Sequence, residues 1–480
     1  MGSGPAIAII HYHLRGGGVT RVIQQACEGL EASGASVVVL AGEHSENADR
    51  IANVRVIDGL GYDQEKDAGP LLTEVQNAAA EALGREVDLW HVHNHCLGKN
   101  VTIPAMVSLL AEQGAKILLQ PHDFAEDGRP EMYRYLLNKL GQGSVADLAK
   151  ILYPSGDTVH YGVINLRDKA FLQAAGLAES NVHYLPNTAC LDLDRTTGGD
   201  IFPDAKLFLY PARAIRRKNI GEFLIHAAVG DSDDVYGITM APKNPFQRPV
   251  YDRWVQFADE MKLPVRFGLG DQYGFADLYN RADAIVSTSV AEGFGLAFLE
   301  PWLMDKPLAG RDLPEVTGGL KQFGLELSAL YGKLEIPIDW IGRERFVQTI
   351  ETELEKYMAA CGRQSSPADV EAAVSSAISG DRVDAGCLNE QMQEQVIRKL
   401  CQNPAMRTEL AALQIDSAPI ASNRTCVETR FGRDDYVKRL LETYDLVLSS
   451  PSGKCEHLNG ESLLDSYTDP ARFSLIRALQ

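Results

Sequence analysis

The chain predicts an α/β protein of two doubly wound, Rossmann-like domains in tandem, facing a central cleft. Three observations carry this. At 480 residues the chain is too long for one ordinary core. Short apolar runs alternate with amphipathic segments, the pattern of a parallel sheet covered by helices. The pattern then restarts midway, after a connector and a polar stretch.

In the first half, residues 6–11, 36–41, 89–93, 116–120, 161–164 and 182–185 read as buried strands. Residues 19–30, 71–83 and a segment through Phe171 read as helices. Leu185-Pro186-Asn187 reads as a connector and 192–200 as a polar separator. Strands at 206–210, 235–240, 265–267 and 284–287 then alternate with helices at 220–228, 251–261, 275–282 and 296–304. Sheets of this kind bind ligands at the carboxyl ends of their strands. Beyond about residue 318 the alternation fades. Phe346, Val347, Ile350, Leu354 and Tyr357 fall at helical spacing, 362–386 reads as loop and short helix, and 436–448 as a last helix. The expected division is 1–190, then 191–435 with an unassigned insertion after about 318, then a helical segment 436–480 packing back on the first domain.

Composition narrows the partners. With 45% hydrophobic and 23% charged residues the chain reads as globular, not disordered. A net charge of −19 argues against nucleic acid or an anionic membrane as the main partner. No run approaches the roughly 18 apolar residues of a membrane span, and Met1-Gly-Ser-Gly-Pro5 lacks the basic and apolar parts of a signal peptide. Eight cysteines without a Cys-x-x-Cys pair read as reduced thiols. A cytoplasmic protein is expected, in which any bound anion is held by a local cationic cluster.

Arg213-Ala-Ile-Arg-Arg-Lys218 is that cluster. It follows the 206–210 strand and precedes a helix opening near Asn219, where the helix dipole adds to the positive charge. Arg chelates phosphate oxygens and Lys adds a point charge; an exposed basic loop is the alternative. Glu292-Gly-Phe-Gly-Leu-Ala-Phe-Leu-Glu300 follows the 284–287 strand. Its glycines 293 and 295 let backbone amides approach a ligand, and its two carboxylates suit vicinal hydroxyls. A capped helix with two solvated acids is the alternative.

Together these segments resemble the retaining GT-B glycosyltransferases of the glycogen-synthase-like and sucrose-synthase-like clan, family 4-like. Arg213 and Lys218 match an Arg and Lys five residues apart, and Glu292 and Glu300 a Glu pair eight apart. Pro186-Asn187, Gly16-Gly17-Gly18-Val19 and His122-Asp123 match further signatures in order, over roughly residues 6 to 316. The resemblance implies a GT-B fold with an acceptor-side first domain and a donor-binding second. It implies that Arg213 and Lys218 neutralise the donor diphosphate, Glu292 meets the donor hexose and Glu300 the ribose. Gly293, Phe294, Gly295, Leu296, Gly17 and Gly18 would contact the donor through backbone, and His122 would sit over the donor sugar. It further implies front-side attack, with a nucleotide-sugar donor, no metal and no other cofactor.

Weaker signals surround these. Leu89-Trp-His91-Val-His93-Asn-His95 places three His on one strand face about 7 Å apart, too far for one zinc. His93, His95 and Asp123 read instead as acceptor-side residues. Glu126, Asp127 and Arg129 read as a solvated loop, with the acceptor side as a second reading. Gly16–Gly18 with Glu43 makes only a partial dinucleotide fingerprint, because position 21 is Arg. Asp305-Lys306-Pro307 replaces the family's Gly-x-Pro, and Arg311 stands where a small residue is common. Residues 318–435 exceed the family's length, covering the acceptor side or forming a homo-oligomer contact. The absence of a basic amphipathic helix favours a small soluble acceptor over a lipid-linked one. A non-catalytic sugar-nucleotide-binding protein, and a GT-B phosphorylase or epimerase, are the competing functions.

Overall fold

The computed structural model describes residues 4–43, 45, 51–191 and 201–477. The stretch 192–200, read as a separator, lies outside them. The chain forms two units, each visited twice: unit 1 comprises 1–188 and 430–468, unit 2 comprises 189–429 and 469–480.

The strands of unit 1 are β1 (Ala6–His11), β2 (Ser36–Ala41), β3 (Val54–Val56), β4 (Leu89–His93), β5 (Ile117–Gln120), β6 (Pro154–Ser155), β7 (Val159–Val163) and β8 (Val182–Tyr184). Among the described residues seven of them make one parallel sheet, in the order β3-β2-β1-β4-β5-β7-β8. Its central strands are buried on both faces, which explains their unbroken apolar runs. The winding reverses between β1 and β4, and there the registers bring His11 and His93 to the carboxyl ends of neighbouring strands. The helix Gly18–Ala32 presents Val22, Ile23, Ala26, Cys27 and Leu30 to this core, one face of a 3.6-residue period. The same core takes Tyr436, Leu440, Tyr444 and Val447 from the helix Arg433–Ser449.

Unit 2 repeats the design. Its strands β9 (Leu207–Arg213), β10 (Val235–Met240), β11 (Val265–Arg266), β12 (Ala284–Ser287), β13 (Leu308–Arg311) and β14 (Leu330–Tyr331) make, among the described residues, a parallel sheet ordered β11-β10-β9-β12-β13-β14. The segment beyond 318 is folded. Strands β15 (Glu335–Pro337), β16 (Ile378–Ser379) and β17 (Arg382–Asp384) form a small antiparallel sheet. The helices Arg343–Ala360, Pro367–Ala377 and Glu390–Gln402 accompany it. Residues 362–386 are thus a helix and two strands, not mainly loop; a Ser366–Asp369 capping box starts that helix.

Arg311, at the end of β13, explains its own departure from the family pattern. It is 5% exposed and pairs with both Glu222 and Asp384. Its Nη2 donates to each carboxylate at 2.6 Å, and Nε and Nη1 complete two bidentate pairs. Tyr331 donates to Glu222 at 2.7 Å, and its hydroxyl lies 2.7 Å from His226 Nε2. Burial lowers the His226 pKa to about 3, so it stays neutral beside the guanidinium. One buried cation therefore joins the main sheet to the inserted segment. Among the described residues no helix is long and apolar enough to cross a membrane.

Candidate active site

In unit 2 two loops at the carboxyl ends of adjacent strands carry Arg213, Lys218 and residues 292–300 of the predicted donor site; Gly17 and Gly18 lie in unit 1. After β9 the chain makes a 3-10 turn, Arg216–Lys218, and Asn219 then takes a left-handed conformation (φ 52°) before the helix Ile220–Val229. Asn tolerates this backbone better than most residues. The loop after β12 is tied to that turn: Val290 N donates to Arg217 O at 2.9 Å and Ser289 Oγ to the same oxygen at 3.2 Å. Thr288 Oγ1 reaches the carbonyls of Lys218 and Asn219, and Tyr210 donates to Lys218 O at 3.0 Å.

This lacing brings Lys218 and Glu292, seventy-four positions apart, into an ion pair. Burial pushes the Glu292 carboxyl up; the charges of Lys218 and Arg217 and hydrogen bonds outweigh it and leave it below its ordinary value. The four-cation cluster divides. Arg216 turns to Glu390 at 2.6 Å, whereas Arg213 is exposed and makes no ion pair with a described residue.

Gly295 has φ +86°, and a Cβ there would stand 2.6 Å from Val316 Cγ1, so only glycine fits. The expected 296–304 helix is interrupted. A 3-10 turn Leu296–Phe298 ends at Leu299, and a short helix Glu300–Leu303 follows. Pro301 has no N–H to continue a helical ladder through this point, and Trp302 Nε1 closes the turn onto Phe298 O at 2.8 Å. Glu300 therefore opens the short helix in a half-buried position; Phe294 is buried, and Gly293 and Leu296 are half-buried.

In unit 1, His93 Nδ1 and His122 Nε2 lie 3.0 Å apart, both side chains buried at the sheet's carboxyl edge. Asn94, left-handed at φ 56°, receives the amides of His122 (2.6 Å) and Asp123 (3.1 Å) on its Oδ1, and Tyr12 donates to its carbonyl. Asn94 thus fixes the His122 turn, a part that sequence reading did not single out. Its bent backbone also takes His95 off the strand face, and His95 Nε2 donates to Leu152 O at 2.8 Å. The expected 7 Å spacing fails as well: the rings of His91 and His93 tilt together to 4.2 Å. Burial lowers His122 to about 4 and His93 well below its ordinary value. A neutral pair joined by one hydrogen bond has one nitrogen free on each ring, and a proton accepted at one end is releasable at the other.

Gly17 and Gly18 begin the Gly18–Ala32 helix, with no side-chain cap over its first amides. A Cβ on Gly18 would meet nothing within 4 Å, so the approach is open. Arg15 pairs with Glu43. Asp123 pairs with Arg129 and Asp127 with Arg167, while Glu126 is 3% exposed and receives Tyr153 Oη on both oxygens at 2.8 Å. The solvated-loop reading of 126–129 is corrected: these side chains are packed and paired. Burial raises Glu126 to about 7. Among the described residues no group of three or more His, Cys, Asp or Glu is placed to hold a metal ion.

A separate concavity in unit 2, lined by Asp234, Lys262 and Phe267 among others, sits at the amino end of β10 and includes none of the predicted residues.

The comparisons with known proteins agree on one group. Residues 16–188 match the family described as Glycosyltransferase Family 4. The chain is 29% identical over 339 residues to Mannosylglucosyl-3-phosphoglycerate synthase of Petrotoga mobilis, covering 64% of each chain. The chain thus spans about two thirds of that relative's length. Among solved structures it resembles Anabaena HepE in complex with UDP and glucose, at TM-score 0.53 and 14% identity over 92% of this chain and 99% of that one. Sucrose-phosphate synthase of Thermosynechococcus elongatus follows at 0.51 and 16%, over 93% and 99%. These likenesses bear out the GT-B fold and the resemblance read from the motifs.

Proposed function

We propose that this chain, GT-B in fold and similar over residues 16–188 to Glycosyltransferase Family 4, is a glycosyltransferase that moves a hexose from a nucleoside diphosphate donor, with retention and without a metal, to a small soluble acceptor. One observation carries the reading. The ammonium of Lys218 and the carboxylate of Glu292 meet on two strand-end loops that hydrogen bonds lock together, with the exposed Arg213 at the end of β9 just before the turn.

The hard step is cleavage of the bond between the anomeric carbon and the diphosphate oxygen. Negative charge develops on the departing phosphate, and preorganised cations lower the barrier most there. Lys218 and Arg213 supply them. A Lys ammonium has three donors, of which Glu292 takes one. Glu292 both orients that ammonium and accepts a hydroxyl of the hexose, while Glu300 accepts the ribose hydroxyls. The departing phosphate takes the acceptor's proton as the acceptor oxygen bonds to the same face of the sugar. Two cations on the leaving group take the place of a metal, so turnover is expected to persist in a chelator. The name of the curated relative is that of a synthase of a small phosphorylated glycoside, which favours a small acceptor here too.

A thermal-shift panel of nucleoside diphosphates and sugar nucleotides, followed by product analysis with the best donor, tests the reading. Stabilisation by one diphosphate series and a product of unchanged anomeric configuration is the expected result. An inverted product ends the retaining assignment, and stabilisation by no nucleotide ends the whole reading.

A further inference from the structure

The helix Glu390–Gln402 turns two polar side chains toward the cationic turn, the half-buried Glu390 and the buried Gln393. Met392, Val396, Ile397 and Leu400 supply the apolar face; Gln393 is 1% exposed beside them. Its Nε2 donates to Asn219 Oδ1 at 2.7 Å and to Ala385 O at 3.0 Å. Asn219 is the left-handed residue directly after Lys218, and its own Nδ2 donates to Glu222 Oε2 at 2.6 Å. Three residues before Gln393, Glu390 grips Arg216 through both oxygens at 2.6 and 2.9 Å. The cationic turn is thus clamped at both ends from one helix. The closeness is specific: a Cβ on Gly221 would collide with Gln393 Oε1.

We infer that Gln393 is a positioning residue for Lys218, and that the inserted segment serves to hold the cationic turn in the conformation that presents its ammonium. The inference rests on the proposed diphosphate role of Lys218. The physical reason is strain. Left-handed backbone at a non-glycine residue is disfavoured and persists only where its surroundings over-determine it. With the Gln393 amide gone, Asn219 Oδ1 is left buried without its donor, and the turn relaxes toward other conformers. Lys218 then spends less time in the geometry that a diphosphate needs.

The test uses the full chain and inorganic pyrophosphate as probe, with affinity read by titration calorimetry. Lys218→Ala is expected to weaken binding about tenfold and Gln393→Met about fivefold, while the double variant binds no more weakly than Lys218→Ala alone. Such non-additivity is the mark of a residue acting through Lys218. Gly221→Ala displaces Gln393 without altering it and is expected to match Gln393→Met, which keeps the proposal open to test should that variant fold poorly. Losses that multiply in the double variant overturn the inference, because they assign Gln393 a general structural role. Wild-type affinity in both Gln393→Met and Gly221→Ala overturns it too. Wild-type affinity in Lys218→Ala is a different failure: it removes the diphosphate role itself, and the inference falls with it.

Discussion

The ammonium of Lys218 has Glu292 as its partner in this structure and, in the proposed cycle, the donor diphosphate as well. Removing it takes away charge stabilisation that develops mainly in the transition state. Lys218→Ala is therefore expected to lower kcat by about 10²–10³, with the fold retained by circular dichroism. Near-wild-type turnover would contradict the role. The two glutamates separate by a different measurement. Glu292 is half-buried and paired with Lys218, whereas Glu300 opens a short helix and is assigned the ribose. Glu300→Ala should weaken nucleoside diphosphate affinity more than Glu292→Gln does; superimposable titration curves for both would refute the assignment.

At the scale of elements, the buried Arg311 group makes the sharpest stability statement. Arg311→Met leaves Glu222 and Asp384 facing each other in the interior without their cation. Breaking a buried pair from one side costs about 3–5 kcal/mol, which denaturant unfolding followed at Trp302 and its neighbours in unit 2 would read. A loss below about 1 kcal/mol would mean that the carboxylates find water or protons instead. Arg311 also marks where sequence reading stops. The strands and helices read up to 287 were legible because each is a local apolar run or stripe: β1, β2, β4 and the Ile220–Val229 helix are apolar throughout or at helical spacing. The strand Val54–Val56 and the helices Thr102–Glu112, Pro130–Lys139 and Val145–Leu152 were not read. The two motif loops were legible because glycines, cations and acids sit together in the chain. The clamp from Glu390 and Gln393 was not, since its partners lie 174 positions away. A local signal did exist: Met392, Val396, Ile397 and Leu400 repeat at helical spacing, and a Gln and Glu between them stood on the buried edge. Pairing over such distances needs coordinates, as does the left-handed turn at Asn94 that removes His95 from its neighbours' face.

For the whole molecule, protons are expected to act unequally on the two units. Unit 1 buries His11 and His91, each lowered to about 3, and His95 and His122, each lowered to about 4, burial being the main cause in all four. Among the described residues unit 2 has a single histidine, His226. A folded-state pKa below the unfolded value of about 6.5 means that unfolding takes up protons, so stability is complete above that pH and lost as pH falls toward 4. The four groups sum to an upper bound on the order of 10 kcal/mol, comparable with the whole stability of a domain. Glu126, raised to about 7, acts with opposite sign and loses stability as pH rises from about 4.5 to 7, and Asp168, also raised by burial, acts in the same sense, but these are two groups against four. Acid titration should therefore unfold unit 1 first, with emission from Trp90 changing before that of Trp254, Trp302 and Trp340. Simultaneous loss of all signals would refute this ordering.

The helix Arg433–Ser449 has a further consequence, one of timing. Tyr436, Leu440, Tyr444 and Val447 complete a core whose other members are all made before residue 186. On a ribosome adding residues one by one, that apolar surface must wait while some 240 further residues are polymerised, an interval on the order of tens of seconds. The nascent first unit is thus expected to be a client for chaperones, and it reaches its final form only once residues 430–468 have been synthesised.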